Sequence, residues 1–367
     1  MLITIIAGAR PNFIKISPII KALDTIKLTN PSISYRLVHT GQHFDKKMSD
    51  DFFEQLSIPA PDINLQCGGG TQAEQAGSIM VQFERELLEN TPDIVLVVGD
   101  VTSTMSCAIT AKKMNITTVH VEAGIRSGDM TMPEEINRIV TDSICDGYFT
   151  TSLIANNNLR DLKVPENKIH FVGNTMIDTL LQNIDKIKKP TFLDELPSKS
   201  NFFLLTLHRP SNVDNPKKLK FLLEKLIEFA NNTLIIFPVH PRTKKIMRQF
   251  DIYADNLILI DPQPYHEFIY LINNALGVIT DSGGISEEAT VLNVPCITMR
   301  NTTERPETIL YGSNELVGED FNKLSLCINR INAGLWKSAS IPILWDGHAA
   351  ERIVNVLLSE YNVSKQD

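Results

Sequence analysis

Val119-His120-Val121-Glu122-Ala123-Gly124-Ile125-Arg126 places a carboxylate, a glycine and an arginine at the end of a β-branched run. Met132-Pro133-Glu134-Glu135-Ile136-Asn137-Arg138 follows closely, with two more carboxylates at a proline-marked helix start. Carboxylates and arginines at the C-terminal end of a buried strand suit a polar ligand in an α/β protein. The chemistry they support is acid–base work on a charged ligand. Asp100 ends another apolar run, Val97-Val98-Gly99. It serves either as an acid or base, or as the cap of the following helix. Asp100, Glu122 and Glu134 follow strand ends on one expected edge. Gathered there they would repel one another, lifting at least one pKa so that an acid and a base coexist.

Gly8-Ala9-Arg10-Pro11 lies between a first strand and a helix, so Arg10 is either an anion ligand or an exposed turn residue. It is not the GxGxxG fingerprint of a dinucleotide site. In the second half, His208-Arg209 follows an apolar strand and suits a phosphate or a proton transfer, or is a surface loop. Pro238-Val239-His240-Pro241-Arg242 repeats the theme one strand later. Asp281-Ser282-Gly283-Gly284 opens a helix through two glycines that permit close backbone approach to phosphate. Glu287 and Glu288, one turn on, can accept hydrogen bonds from ribose hydroxyls; the plainer alternative is a Ser-Gly-Gly turn with a helix cap.

These residues need strand ends to hold them. The apolar runs predict strands at Leu2–Ala7, Ser34–Thr40, Ile94–Gly99, Thr118–Glu122 and Gly147–Thr150. A second series runs over Phe202–Leu207, Leu234–Val239, Leu257–Ile260, Gly277–Thr280 and Cys296–Met299. Amphipathic helices fall between them, as at Phe13–Leu28, Gln75–Glu89, Met105–Met114 and Lys217–Phe229. Continuous Val/Ile/Leu runs separated by helices indicate parallel sheets buried on both faces. The fold class is therefore α/β, with two doubly wound domains and a cleft between them. Lys186–Ser200 is polar and proline-marked, and the boundary falls between Gly173 and Ser200. The final amphipathic segment, Ala349–Tyr361, needs a partner surface for Ile353, Val354, Val356, Leu357 and Leu358.

With 367 residues the chain suits about two domains at roughly 150 residues each. Its net charge of −8 argues against a general nucleic-acid binder or a protein held by charge on anionic membrane. No apolar run approaches the roughly 18 residues of a membrane span. The N-terminus reads as a strand rather than a signal peptide. Five scattered cysteines without a CxxC make disulfides and structural zinc poor readings. The chain reads as cytoplasmic.

Taken in order, these motifs identify a family resemblance. The chain resembles the non-hydrolysing UDP-N-acetylglucosamine 2-epimerases of GT-B architecture. The resemblance rests on Gly8-Ala9-Arg10-Pro11, Gly41-Gln42-His43, Gly99-Asp100, Val121-Glu122-Ala123-Gly124, Pro133-Glu134-Glu135-Ile136-Asn137-Arg138 and Gly173-Asn174-Thr175. It continues through His208-Arg209, Pro238-Val239-His240, Asp281-Ser282-Gly283-Gly284 with Glu287-Glu288, and Thr303-Glu304-Arg305-Pro306-Glu307. It implies a Rossmann-like domain over 1–172, a linker region over 173–200 and a UDP-binding domain over 201–348, with 349–363 packing back on the first. It implies Asp100, Glu122, Glu134 and His208 as catalytic, without assigning acid and base among the carboxylates. Ser282, Gly283 and Gly284 would hold the diphosphate, Glu288 the ribose, and Arg10, His240 and Arg305 further parts of the UDP-sugar. Gln42 and His43 match the neighbourhood of a second, activating UDP-sugar site in some bacterial members, although Gly68-Gly69-Gly70-Thr71 lacks an arginine there. The implied reaction is reversible C2 epimerisation of UDP-N-acetylglucosamine, by elimination of UDP to a 2-acetamidoglucal and re-addition. It requires no cofactor and no metal, and the family implies a homodimer. A 2-epimerase of UDP-2,3-diacetamido-glucuronate and a GT-B glycosyltransferase using a UDP-sugar are the alternatives.

Overall fold

The computed structural model describes residues 1–41, 53–196, 201–239, 241–250 and 252–361. The chain divides into two compact units, one of Met1–Gln182 with the segment from Ile343 onward, the other of Asn183–Pro342. Among the described residues no helix is long and apolar enough to cross a membrane.

The first unit holds β1 (Leu2–Ala7), β2 (Ser34–His39), β3 (Ile63–Asn64), β4 (Ile94–Val98), β5 (Thr117–Ala123), β6 (Gly147–Thr150) and β7 (Ile169–Phe171). Its helices are α1 (Arg10–Lys27), α2 (Gln72–Glu89), α3 (Thr102–Lys113), α4 (Pro133–Ile144), α5 (Leu153–Asp161) and α6 (Thr175–Asn183). The strands form one sheet in the order β3-β2-β1-β4-β5-β6-β7, every pair parallel. The reason is in the composition: Ile94-Val95-Leu96-Val97-Val98 is buried at every position, which only a strand covered on both faces allows.

The second unit repeats the plan with β8 (Phe202–Thr206), β9 (Leu234–Pro238), β10 (Leu257–Ile260), β11 (Gly277–Thr280), β12 (Cys296–Thr298) and β13 (Asn314–Leu316). The helices here are α7 (Pro210–Val213), α8 (Pro216–Ala230), α9 (Pro241–Gln249), α10 (Tyr265–Asn274), α11 (Gly283–Val291), α12 (Pro306–Leu310) and α13 (Phe321–Asn332). The sheet order is β10-β9-β8-β11-β12-β13, again all parallel. The fold class is thus the expected one, α/β with two doubly wound Rossmann-like units of GT-B type. Strand order reverses between β1 and β4 and between β8 and β11. At such switch points the loops diverge and leave a crevice for ligands.

The last helix, α14 (Ala349–Glu360), packs on α1 and buries Ile353, Val354 and Leu357. Just before it, the fully buried Trp345 donates its indole N–H to Thr151 O at 3.0 Å. Asp178 of α6 caps the helix, its two oxygens accepting from the Ala349 and Ala350 amides at 3.1 and 2.7 Å. Burial pushes this carboxyl up to about 6, outweighing the two amide donors and the neighbouring Arg352, while Asp346 adds to the rise.

A carboxyl whose pKa rises on folding from 3.8 to about 6 stabilises most at acid pH, and that contribution fades as pH climbs through about 6. Asp178→Asn removes this titration. Urea unfolding should show the native chain losing up to about 3 kcal/mol relative to the variant between about pH 4 and 7. Parallel pH profiles would contradict the assignment.

Candidate active site

In the first unit, the switch point is organised by Asn12, three residues into the start of α1. Its Oδ1 accepts from the Gly8 and Ala9 amides at 3.1 and 3.0 Å, and its Nδ2 donates to Val98 O at 3.0 Å. One side chain thereby caps α1 and ties the β1 turn to the end of β4. Arg10 is exposed as the first residue of that helix.

Asp100 sits just past β4, where Arg138 of α4 donates to its Oδ2 from Nε at 3.0 Å and from Nη2. Arg138 also meets Glu135 at 2.7 Å. Burial would raise the Glu135 carboxyl, but the Ser127 amide, the Arg138 guanidinium and the Gly128 amide hold it below its ordinary value. Glu134 is half-buried in the first turn of α4, one turn before Arg138 on the same side of the helix.

Glu122 occupies the end of β5 with φ +72°, at a register break in the pairing with β6. A non-glycine residue in the left-handed region costs on the order of 1–3 kcal/mol and persists only where its surroundings impose it. Its buried carboxylate meets Lys15 Nζ of α1 at 2.6 Å, and the lysine is buried too. Gly99 must be glycine for a related reason: with φ +70°, an added Cβ would come 3.2 Å from that same Nζ. The expected crowd of mutually repelling carboxylates is therefore corrected in part. Asp100 and Glu122 each carry a built-in cation, because ionised groups removed from water need a partner.

Beneath these turns lies a charge cluster. His120 is fully buried, with Nδ1 2.7 Å from Asp142 Oδ1 and Nε2 2.8 Å from Gly99 O. Asp142 Oδ2 accepts from the Gly124 amide at 3.0 Å and meets Arg126 Nη1 at 2.6 Å. Burial opposes ionisation of Asp142, but His120 and then Arg126 hold its pKa below the ordinary value.

In the second unit, Asp281 ends β11 fully buried. It accepts from the His208 and Arg209 amides, from Asn212 Nδ2 at 3.0 Å and from His208 Nδ1 at 2.7 Å. Burial works to raise this carboxyl, yet the His208 ring and the other donors hold it down. His208 is otherwise largely exposed. Ser282 stands at the N-cap position of α11 without capping it through its side chain, and its amide donates to Thr280 Oγ1 at 3.0 Å. No acidic residue occupies the first turn of α11, so its Gly283 and Gly284 amides present the positive end of a helix. Glu288 is buried and accepts from Tyr265 OH at 3.3 Å. Arg305 is also buried, with Nε 2.5 Å from Glu287.

The family model of UDP-N-acetylglucosamine 2-epimerase matches residues 27–358. The chain belongs to that family. It is 42% identical over 372 residues to the UDP-N-acetylglucosamine 2-epimerase of Methanocaldococcus jannaschii, covering 97% of this chain and 99% of that one. The solved structure of that relative in complex with UDP-GlcNAc and UDP superposes with a TM-score of 0.87 over the same shares of the two chains. A UDP-2,3-diacetamido-2,3-dideoxy-D-glucuronate 2-epimerase of Pseudomonas aeruginosa is 40% identical over 87% of this chain and 88% of its own.

In this epimerase-family chain, Asp100, Glu122 and the helix carrying Glu134 converge on one edge of the first sheet. His208, Ser282, Gly283 and Gly284 converge on one edge of the second. His240, Gln42 and His43 lie outside the described residues. Reading the sequence missed the partners: Lys15, His120, Asp142 and the anchoring role of Asp281. A signal existed for some of them. The buried face of α4, Glu135, Asn137, Arg138, Thr141 and Asp142, is wholly polar, which a helix that merely packs would not show.

Removing one member of a buried ion pair strands the other charge. Lys15→Met should cost about 3–5 kcal/mol in chemical unfolding, and the double variant Lys15→Met/Glu122→Gln should recover much of it. Additive losses would contradict a direct pair.

Proposed function

We propose that this chain interconverts UDP-N-acetylglucosamine and UDP-N-acetylmannosamine by inversion at C2. The observation that carries the reading is the buried, strained Glu122 held against Lys15, in a chain 42% identical to an epimerase solved with UDP-GlcNAc and UDP. A strand-end carboxylate kept ionised and fixed in place suits proton transfer at a carbon that gives up its proton reluctantly.

On this reading, a carboxylate among Glu122, Asp100 and Glu134 removes the C2 proton. The C–H electron pair becomes the C1=C2 double bond, and the C1–O pair leaves with UDP, giving a 2-acetamidoglucal. UDP then adds back at C1 while an acid delivers a proton to the opposite face of C2. Charge developing on the departing diphosphate is met by the α11 amides of Gly283 and Gly284, with Ser282, and by His208 Nε2. Asp281 fixes the His208 ring by its Nδ1, the role an orienting carboxylate plays for a functional imidazole. Glu288, oriented by Tyr265, takes the ribose, and Arg305, anchored by Glu287, adds positive charge. The enzyme works as a cytoplasmic homodimer supplying cell-surface polysaccharide synthesis. A second reading, 2-epimerisation of UDP-2,3-diacetamido-glucuronate, is favoured by the 40% identity to the Pseudomonas aeruginosa enzyme.

Proton NMR of the protein with UDP-N-acetylglucosamine in D2O should show UDP-N-acetylmannosamine appearing, with deuterium at C2 of both sugars. Free N-acetylmannosamine with UDP would mean hydrolysis instead. An unchanged spectrum with UDP still bound would reject this substrate in favour of the diacetamido sugar.

A further inference from the structure

We propose that His120 and Asp142 are positioning residues, which lock the turn carrying Asp100 to the turn carrying Glu122. The proposal rests on the epimerase reading and deepens it.

The geometry is a continuous chain of hydrogen bonds through the protein interior. A carbonyl oxygen only accepts, so His120 Nε2 donates to Gly99 O across 2.8 Å. The Gly99 amide in turn donates to Val121 O at 3.0 Å. Both faces of Gly99 are thus held by β5, and the next residue is Asp100. On its other side, the ring meets Asp142 Oδ1 at 2.7 Å, and Asp142 Oδ2 holds the Gly124 amide at 3.0 Å. Gly124 stands two residues past Glu122, and its carbonyl accepts from Asn158 Nδ2 at 2.8 Å. Gly99, Glu122 and Gly124 all have positive φ, which glycine adopts freely, so it is Glu122 between them that needs its surroundings to hold it. Gly124 has no slack either, since an added Cβ would lie 2.3 Å from Ala155 O.

A purely structural explanation is weak at position 120. Its strand neighbours Val119 and Val121 fill the core with apolar side chains, and an apolar residue there would avoid burying a polar ring and a carboxylate. What the His120–Asp142 pair adds is a fixed spacing between two strand-end turns. Misplacing a reacting group by about 1 Å costs on the order of 100-fold in rate. That is the scale on which the tether matters.

Two substitutions separate positioning from bulk. The amide of His120→Gln extends far enough to replace Nε2 and keep the bond to Gly99 O. His120→Asn is shorter and gives that bond up. We expect His120→Asn to lose about 100-fold in kcat with KM within about twofold, and His120→Gln to recover to within about tenfold of wild type. Asp142→Asn should likewise lower kcat and spare KM. Equal losses in the glutamine and asparagine variants, a loss confined to KM, or full activity in both would overturn the proposal. Should the variants not fold, the wild-type protein labelled with 15N-histidine decides. It should show an exchange-protected Nε2–H proton from a buried ring, because Nε2 donates to Gly99 O. A spectrum with no exchange-protected Nε2–H from a buried ring would overturn the tether. Failure of the wild-type chain to epimerise UDP-N-acetylglucosamine would instead reject the substrate reading, and the ring-proton spectrum would then decide the tether alone.

Discussion

The ion pair between Lys15 and Glu122 is the interaction on which the first unit's site depends. An ionised carboxylate at the end of a strand buried on both faces loses most of its hydration. It stays charged there only with a cation placed beside it. Supplying that cation from α1 constrains everything nearby. The helix must start close to the end of β1, which Asn12 enforces by capping it and bonding to Val98 O. Residue 99 must be a glycine with positive φ, because a side chain would press on the lysine. Glu122 itself must accept an unfavourable backbone to face Lys15, and the register break in β5 permits it.

The second unit meets the same requirement with different groups. Its buried acid, Asp281, is wholly shielded from solvent. It gathers the His208 and Arg209 amides, Asn212 and the His208 ring, so that a largely exposed imidazole is held by one nitrogen. In both units an anion is buried at a strand end, Glu122 on β5 beside the reversal of strand order and Asp281 past β11 at the reversal itself, and the turns are built around it. The two halves differ in what they present: carboxylates on the first sheet edge, backbone amides and a histidine on the second.

Much of the fold was legible because fully buried parallel strands leave continuous apolar runs. Leu2–Ala7, Gly147–Thr150, Leu257–Ile260 and Gly277–Thr280 were readable to the residue. The strands at Ile63–Asn64, Ile169–Phe171 and Asn314–Leu316 were not. Each is very short, and the first two are only half-buried, so no run or alternation marks them. At the sites, the residues named from sequence stand at strand ends and helix starts, where glycine, proline and charge coincide in a short motif. Their partners were missed because pairing is a tertiary fact. Lys15 looks like one of many helical lysines until α1 is laid beside β5, and Asp142 looks like a surface residue until the polar face of α4 turns inward. The expectation of repelling carboxylates needed correction at Asp100 and Glu122 for the same reason, since Arg138 and Lys15 come from other parts of the chain.

The central claim is that these groups cleave the C1–O bond while they invert C2. Positional isotope exchange tests it most directly, using UDP-N-acetylglucosamine with 18O in the oxygen bridging C1 and the β-phosphorus. If UDP departs and returns, the label should scramble into the non-bridging β-phosphate oxygens at least as fast as the manno epimer forms. Epimerisation with deuterium gained at C2 and the label still wholly in the bridge would contradict the account.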